Sequence, residues 1–165
     1  MTDRVGAAAF QIDVSGIREL AQDFGGAQAQ RVVFDELVSA GQRSGKIVKA
    51  KAATFIRNQS GQLAKNALVH TSTTANQIDT IVTWVAKSSR GFPYAAAVNY
   101  GRGPVVAKRA KYLHFFIDGK EFFRKRVGPA KAQFFAERGL QAAESLIVAE
   151  HQRAADRAAA KLEAL

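Results

Sequence analysis

The sequence predicts an α+β fold, in which a long N-terminal helix and a long C-terminal helix pack on an antiparallel β-sheet with a β-hairpin insertion. Two long segments carry apolar residues at three- and four-residue spacings, as amphipathic helices do. Between them lie runs rich in Val, Ile and Thr, and an Asp-Gly pair between aromatic segments. With 165 residues, the chain is expected to form a single domain.

An N-terminal arm, residues 1–26, is expected to precede the first long helix. A short strand is predicted from Gln11, passing into a helical turn that Ser15 caps. Gly25-Gly26 is expected to break the chain, because glycine disfavours a helix interior. No apolar run here has the length of a signal-peptide core, and no later run approaches a membrane span. We therefore expect a protein made and used in soluble form, without membrane partners.

Residues 27–57 are predicted to form the first long helix, since their apolar residues follow a helical period. Gly41 and Gly45 lie in its middle, where each costs about 1 kcal/mol relative to Ala. They predict a bend or a close helix contact. Ser60-Gly61 is expected to end the helical region. This helix and the sheet that follows together span residues 27–130.

Two strands are predicted next, over residues 67–73 and 78–86, with a turn at residues 74–77. Alternation in the second strand puts four residues on one face: Ile78, Thr80, Val82 and Trp84. Residues 94–101 fit a short helix and a strand equally well, so the sequence leaves both alternatives open.

Asp118-Gly119 lies between two aromatic-rich runs and predicts the turn of a hairpin over residues 112–127. Its aromatic residues are expected to belong to the core: Phe115, Phe116, Phe122 and Phe123. Gly128-Pro129 is expected to open the C-terminal helix, which occupies residues 131–165, because Pro suits a first helical turn. Beyond His151 the apolar stripe is mostly Ala, so we expect that end to pack on a neighbouring subunit.

The residues that carry chemistry predict no enzyme. The chain has no cysteine, which excludes disulfides, thiolate metal sites and cysteine nucleophiles. His70, His114 and His151 are far apart and lack the spacing of metal ligands. We therefore expect no catalytic residue, no metal site and no cofactor.

The net charge of +10 is concentrated in one part of the chain. Residues 91–131 contain nine basic and two acidic groups, whereas residues 132–165 contain four and five. Such an asymmetry indicates a polyanion or an acidic protein surface as a neighbour. The candidate residues that face DNA or a partner are Arg102, Lys108, Arg109, Lys111, Lys120, Arg124, Lys125 and Arg126.

An ordered set of short motifs over residues 30–150 carries a family resemblance. A Gly-x-Leu follows the first helix, a Tyr-Ala-x-x-Val-x-aromatic-Gly segment precedes a variable loop, and a Pro-Ala pair precedes the last helix. The motif positions are Gly61, Leu63, Tyr94, Ala95, Val98, Tyr100, Gly101, Pro129 and Ala130. This arrangement resembles the gp10-like tail-component family of bacteriophage HK97. The chain departs from the family at Asn99, where an acidic residue is common, and in the hairpin, which is an insertion.

The resemblance implies a structural protein of a tailed bacteriophage. It implies a ring in the neck, of six subunits or alternatively twelve, that joins head to tail around the DNA channel as a tail-completion protein or head-to-tail connector. The implied partners are further copies of the chain, other neck and tail proteins (adaptor or stopper, tail terminator, tail tube), and passing DNA held without sequence specificity. The implied location is the neck or tail of the virion, and the host cytoplasm during assembly.

Two other functions remain open from the residues. A basic nucleic-acid-binding protein would need no ring, and its affinity would fall steeply with salt. An enzyme, such as a nuclease or hydrolase, would need a catalytic constellation built from residues distant in sequence.

Overall fold

A computed structural model describes residues 7–57, 61–74, 77–86, 94–117 and 120–164. The helices are α1 (Ser15–Phe55), α2 (Gln62–Lys65), α3 (Tyr94–Tyr100) and α4 (Phe135–Leu162). The strands are β1 (Ala7–Asp13), β2 (Ala67–Thr73), β3 (Gln77–Trp84), β4 (Val105–Val106), β5 (Leu113–Ile117), β6 (Lys120–Arg124) and β7 (Arg126–Val127). The α+β class predicted from the sequence is confirmed.

β1, β3 and β2 form an antiparallel sheet in that order, so β3 is central and β1 and β2 are edge strands. The four residues predicted to share one face of β3 are all buried, so this is the inward face: Ile78, Thr80, Val82 and Trp84. The predicted strand 67–73 matches β2, while β3 begins and ends slightly before the predicted 78–86. The Thr74 N–H donates to the Gln77 carbonyl at 2.9 Å, and residues 75–76 of that turn lie outside the described residues.

α1 and α4 pack against each other and against the inward face of the sheet. One core cluster joins the C-terminal half of α1 to the start of α4 through Ala52, Trp84 and Phe135. A second cluster joins the N-terminal half of α1 to the end of α4 through Leu37 and Ala158. The two long helices are therefore antiparallel.

Small residues allow these layers to approach closely. A Cβ at Gly139 would lie 2.6 Å from the Ala52 Cα atom, so α4 contacts the backbone of α1 there. A Cβ at Gly41 would lie 2.8 Å from Thr80 Oγ1, and a Cβ at Gly45 would collide with Val69. Gly41 and Gly45 do lie in close contact with another element, but that element is the sheet and not the helix that was predicted.

The prediction of a separate N-terminal arm is wrong for residues 7–26, and residues 1–6 lie outside the described residues. β1 is part of the main sheet, and α1 begins at Ser15 rather than at residue 27. Ser15 is not the cap: Val14 holds that position, and the Ser15 N–H donates to Asp13 Oδ1 at 2.9 Å. α1 continues through Gly25-Gly26, although Gly26 has φ of +62°, a local distortion of the helix.

The predicted start of the C-terminal helix at Gly128-Pro129 is also wrong, since α4 begins only at Phe135. In the preceding segment, Ala130 forms a β-bridge with Arg102, and Phe134, just before α4, has φ of +48°. The Ala-rich end of α4 packs on α1 of the same subunit, where Ala154 and Ala158 are buried. The prediction that this end packs on a neighbouring subunit failed because α1 begins earlier in the chain than its sequence pattern indicated.

β4 to β7 form a separate substructure, which we call the hairpin module (residues 105–127). β5 pairs with β6 and β4 pairs with β7, so the predicted hairpin strands are confirmed, while Asp118-Gly119 lies outside the described residues. Within the described ranges the module packs substantially against neither long helix. The expectation of core aromatics fails for three of the four residues: Phe123 is 52% exposed, and Phe115 stacks on Phe122 within the module at 5.9 Å between ring centroids. The side chain of Phe116 lies outside the described residues.

Candidate functional site

The basic residues singled out in the sequence come together on the hairpin module. Seven of the eight lie on it, and all seven are exposed: Lys108, Arg109, Lys111, Lys120, Arg124, Lys125 and Arg126. Residues 105–127 contain only two acidic groups, Asp118 and Glu121. The module is therefore a strongly positive projection.

Arg102, the eighth basic residue, anchors the module instead of extending its surface. Its backbone pairs with Ala130 in both directions, at 2.9 and 3.0 Å. Its Nη1 atom donates to the carbonyl oxygens of Gly103 and Gly128, both at 3.3 Å. These contacts hold together the two chain segments that enter and leave the module.

Aromatic contacts stiffen the hairpin itself. His114 stacks on Phe123 with ring centroids 4.7 Å apart, and His114 Nε2 lies 2.7 Å from Glu121 Oε1. Tyr112 and Val106 are exposed beside these groups. The surface thus combines positive charge with apolar and aromatic side chains, which suits it to bind a partner of opposite charge.

A groove of about 790 Å³ runs between β1 and α4. Phe10, Gln11 and Ile12 line it from β1, and apolar and acidic residues line it from α4. Glu137 and Glu144 are its charged residues, and no Lys or Arg of the described chain lines it. Val148, at its rim, is 66% exposed. We call this the β1–α4 groove.

His151 lies on the wall of the β1–α4 groove. Its Nδ1 atom hydrogen bonds with the Ile147 carbonyl at 2.8 Å, and its ring meets Phe10 edge-on at 6.4 Å between centroids. Its Nε2 atom is buried and has no hydrogen-bond partner among the described residues. Burial lowers the pKa of His151 below its ordinary value of 6.5, with a smaller contribution from the Arg43 charge. The neutral ring belongs to the apolar lining of the groove.

A cluster of ion pairs joins α1 to α4, and the sequence alone did not predict it. Glu150 is buried and accepts from Arg43 Nε at 2.6 Å and from Arg157 at 3.2 Å. Glu36 pairs with Arg157 at 3.0 Å and with Lys161 at 2.7 Å. Burial acts to raise the pKa of Glu150, but its arginine partners outweigh burial and the pKa lies below its ordinary value. The cluster fixes the register of the two helices.

The residues at the motif positions have structural roles around the connection between α3 and α4. Gly61 caps α2 with φ of +65°, and Leu63 and Ala95 are buried in the core. Gly101 has φ of +76°, and a Cβ there would lie 2.8 Å from the Ala130 carbonyl oxygen. The remaining positions are the half-buried Tyr94 and Val98 and the exposed Tyr100, Pro129 and Ala130.

Asn99 is the residue at this connection whose role sequence reasoning missed. It is fully buried, its Nδ2 atom donates to both Glu137 carboxylate oxygens, and its Oδ1 atom accepts from the Ala136 N–H at 3.1 Å. Its carbonyl oxygen accepts from the N–H groups of Gln133 and Phe134. The one signal in the sequence was its departure from the acidic residue of the resembling family.

Comparison with protein-family models, with curated proteins and with solved structures finds no match for this chain. Within the residues that the structure describes, no group of three or more His, Asp or Glu side chains is placed to hold a metal ion. Among the described helices, none combines the length and apolar character needed to cross a bilayer.

Proposed function

We propose that this chain is a structural virion protein of a tailed bacteriophage, which assembles into a ring in the neck as a tail-completion protein or head-to-tail connector. Six subunits, or twelve, would surround the channel through which DNA passes. Neighbouring rings of neck and tail proteins are its further partners. The motif resemblance motivates this proposal, and it places the protein in the neck or tail of the virion.

The observation that carries the proposal is the hairpin module. It packs mainly on itself and exposes seven basic side chains together with Phe123. A substructure of this kind contributes little to the stability of its own subunit, because several of its apolar side chains remain exposed. It is suited to be buried when subunits assemble. The proposal accordingly assigns the chain a binding role and no catalytic one.

The second candidate function is binding of nucleic acid by a protein that forms no ring. The same seven cations favour it, since phosphate backbones attract such surfaces without regard to base sequence. Tyr112 and Phe123 are exposed among them and could stack on unpaired bases. In a ring, these cations would face either the DNA channel or an acidic surface of a neighbouring protein, another copy of the chain included.

Negative-stain electron microscopy of the purified protein, over a range of protein concentrations, tests the first proposal. Annular particles with a central channel support it, and single compact particles at every concentration contradict it. Fluorescence anisotropy with a labelled duplex of arbitrary sequence tests the alternative. Tight binding at low salt by single particles, lost at high salt, would favour the nucleic-acid-binding function.

A further inference from the structure

We infer that the β1–α4 groove of one subunit holds the hairpin module of a second copy of this chain. The inference rests on the proposed ring and assigns the two surfaces that would form its repeated contact. A contact between two different surfaces of the same chain is head-to-tail, and it closes into a ring when the rotation between subunits permits.

The groove is a candidate binding surface because it is open and largely apolar. Ile12, Leu140 and Val148 line it, and Val148 is mostly exposed. Its volume of about 790 Å³ accommodates several large side chains. Contiguous apolar surface of this kind marks interaction sites on soluble domains.

Charge identifies the occupant. The charged side chains in the groove lining are Glu137 and Glu144, and the described chain places no basic residue there. Asn99 Nδ2 donates to both oxygens of the Glu137 carboxylate, so this group is fixed in position at the groove. The hairpin module has the opposite character, with seven basic groups against two acidic ones. Opposite potentials of this kind steer association and fix its orientation.

The chemistry of the module also fits the apolar part of the groove. Tyr112 and Phe123 are exposed on the module, and rigid aromatic side chains are favoured anchors at the centres of interfaces. β1 is an edge strand, and Phe10, Gln11 and Ile12 contribute to the groove. An extended segment of the module lying there could also pair with the backbone of β1.

The occupant is not the module of the same subunit. Residues of β1 and α4, with Leu37 of α1, make up the groove lining, and no described residue of the module is among them. The module is tied to its own subunit at Arg102 and Ala130. The two surfaces of one subunit are thus both available, and a second copy supplies the complement to each.

Disulfide trapping tests the contact directly, because the chain has no cysteine of its own. One variant carries Gln141→Cys in the groove, and a second carries Lys120→Cys next to the hairpin turn; both positions are exposed. Mixed and mildly oxidised, the two should form a linked dimer that neither forms alone. Ala50→Cys, at an exposed position of α1 outside the groove, replaces Gln141→Cys in the control mixture and should give no dimer.

A variant that carries both cysteines in one chain should form a series of disulfide-linked oligomers. The largest of them should contain as many subunits as the ring. Rings without the dimer would overturn the inference and leave the proposed function standing. Dimer without rings would support the contact and contradict the closed ring. Absence of both dimer and rings would overturn both.

Charge reversal gives an independent measurement on the full chain. Glu144→Lys in the groove and Lys125→Glu on the module should each weaken self-association by about tenfold, and the two together should restore much of it. Both positions are exposed, so thermal unfolding of each variant should match that of the unaltered protein. Unchanged self-association in both single variants would overturn the inference.

Discussion

The side-chain amide of Asn99, in α3, donates to the two carboxylate oxygens of Glu137, in α4, at 3.1 and 2.9 Å. The same side chain accepts from the Ala136 N–H at 3.1 Å, which satisfies one of the otherwise unpaired donors at the start of α4. Asn99 therefore decides where α4 begins. It also connects the segment that leads into the hairpin module with the helix that forms one wall of the β1–α4 groove.

Replacing Asn99 should destabilise the fold. Asn99→Ala leaves the buried Ala136 N–H without its acceptor and should cost about 1–3 kcal/mol in the free energy of unfolding. Asn99→Asp, closest in shape, should also destabilise at neutral pH because it sets a carboxylate against Glu137. Urea denaturation followed by circular dichroism measures both. Adding Glu137→Gln should recover part of the Asn99→Asp loss, and no recovery would contradict this account.

The crossing of α1 and α4 leaves no room for a side chain at Gly139. Gly139→Ala should destabilise by about 1–3 kcal/mol or more, because its Cβ would meet the Ala52 backbone. Gly16→Ala is the matched control, since Gly16 is also helical and a Cβ there has no atom within 4 Å. Thermal denaturation should show a lower melting temperature for Gly139→Ala only. Equal effects of the two changes would contradict the close crossing.

Stability should rise as the pH is raised towards 6.5, in the range where His titrates. Burial lowers the pKa of His151 in the folded protein below its ordinary value of 6.5. The unfolded chain therefore binds more protons there, and the contribution is complete above 6.5 and lost as the pH falls through the lowered pKa. Urea denaturation at several pH values measures this slope. His151→Gln should flatten it, and an unchanged slope in that variant would contradict this account.

The ion-pair cluster between α1 and α4 should depend on Glu150 far more than on its outermost partner. Glu150→Gln leaves Arg43 and Arg157 without a shared carboxylate and should cost about 1.5–3 kcal/mol. Arg153→Gln is the control: its side chain is 67% exposed and lies 3.5 Å from Glu150, so it should change stability by less than about 0.5 kcal/mol. Chemical denaturation of both variants makes the comparison, and equal losses would refute it.

The local sequence pattern was sufficient to predict the α+β class, β2 and β3, and the strands on either side of Asp118-Gly119. It found only the end of β1, from Gln11, and missed the start, where three Ala residues resemble no strand although pairing with β3 imposes one. It also failed at Pro129, whose preference for a helix start is overridden by the bridge between Ala130 and Arg102.

The candidate site was predictable only in its charge. The basic residues are close in sequence, so their cluster on the hairpin module could be expected. The β1–α4 groove could not, because Phe10 and His151 come from opposite ends of the chain and only the packing of α4 beside β1 brings them together. A periodic pattern marks an aromatic residue as apolar but does not show which cluster it joins. Phe123 was therefore expected in the core, whereas it is exposed.

The mass of the protein in solution tests the central claim most directly. Sedimentation velocity should be run at low and high salt, with and without duplex DNA, over a range of protein concentrations. The account predicts a closed oligomer, six or twelve times 17.8 kDa, that forms with or without DNA. A monomer at every concentration, which binds DNA at low salt and releases it at high salt, would contradict it.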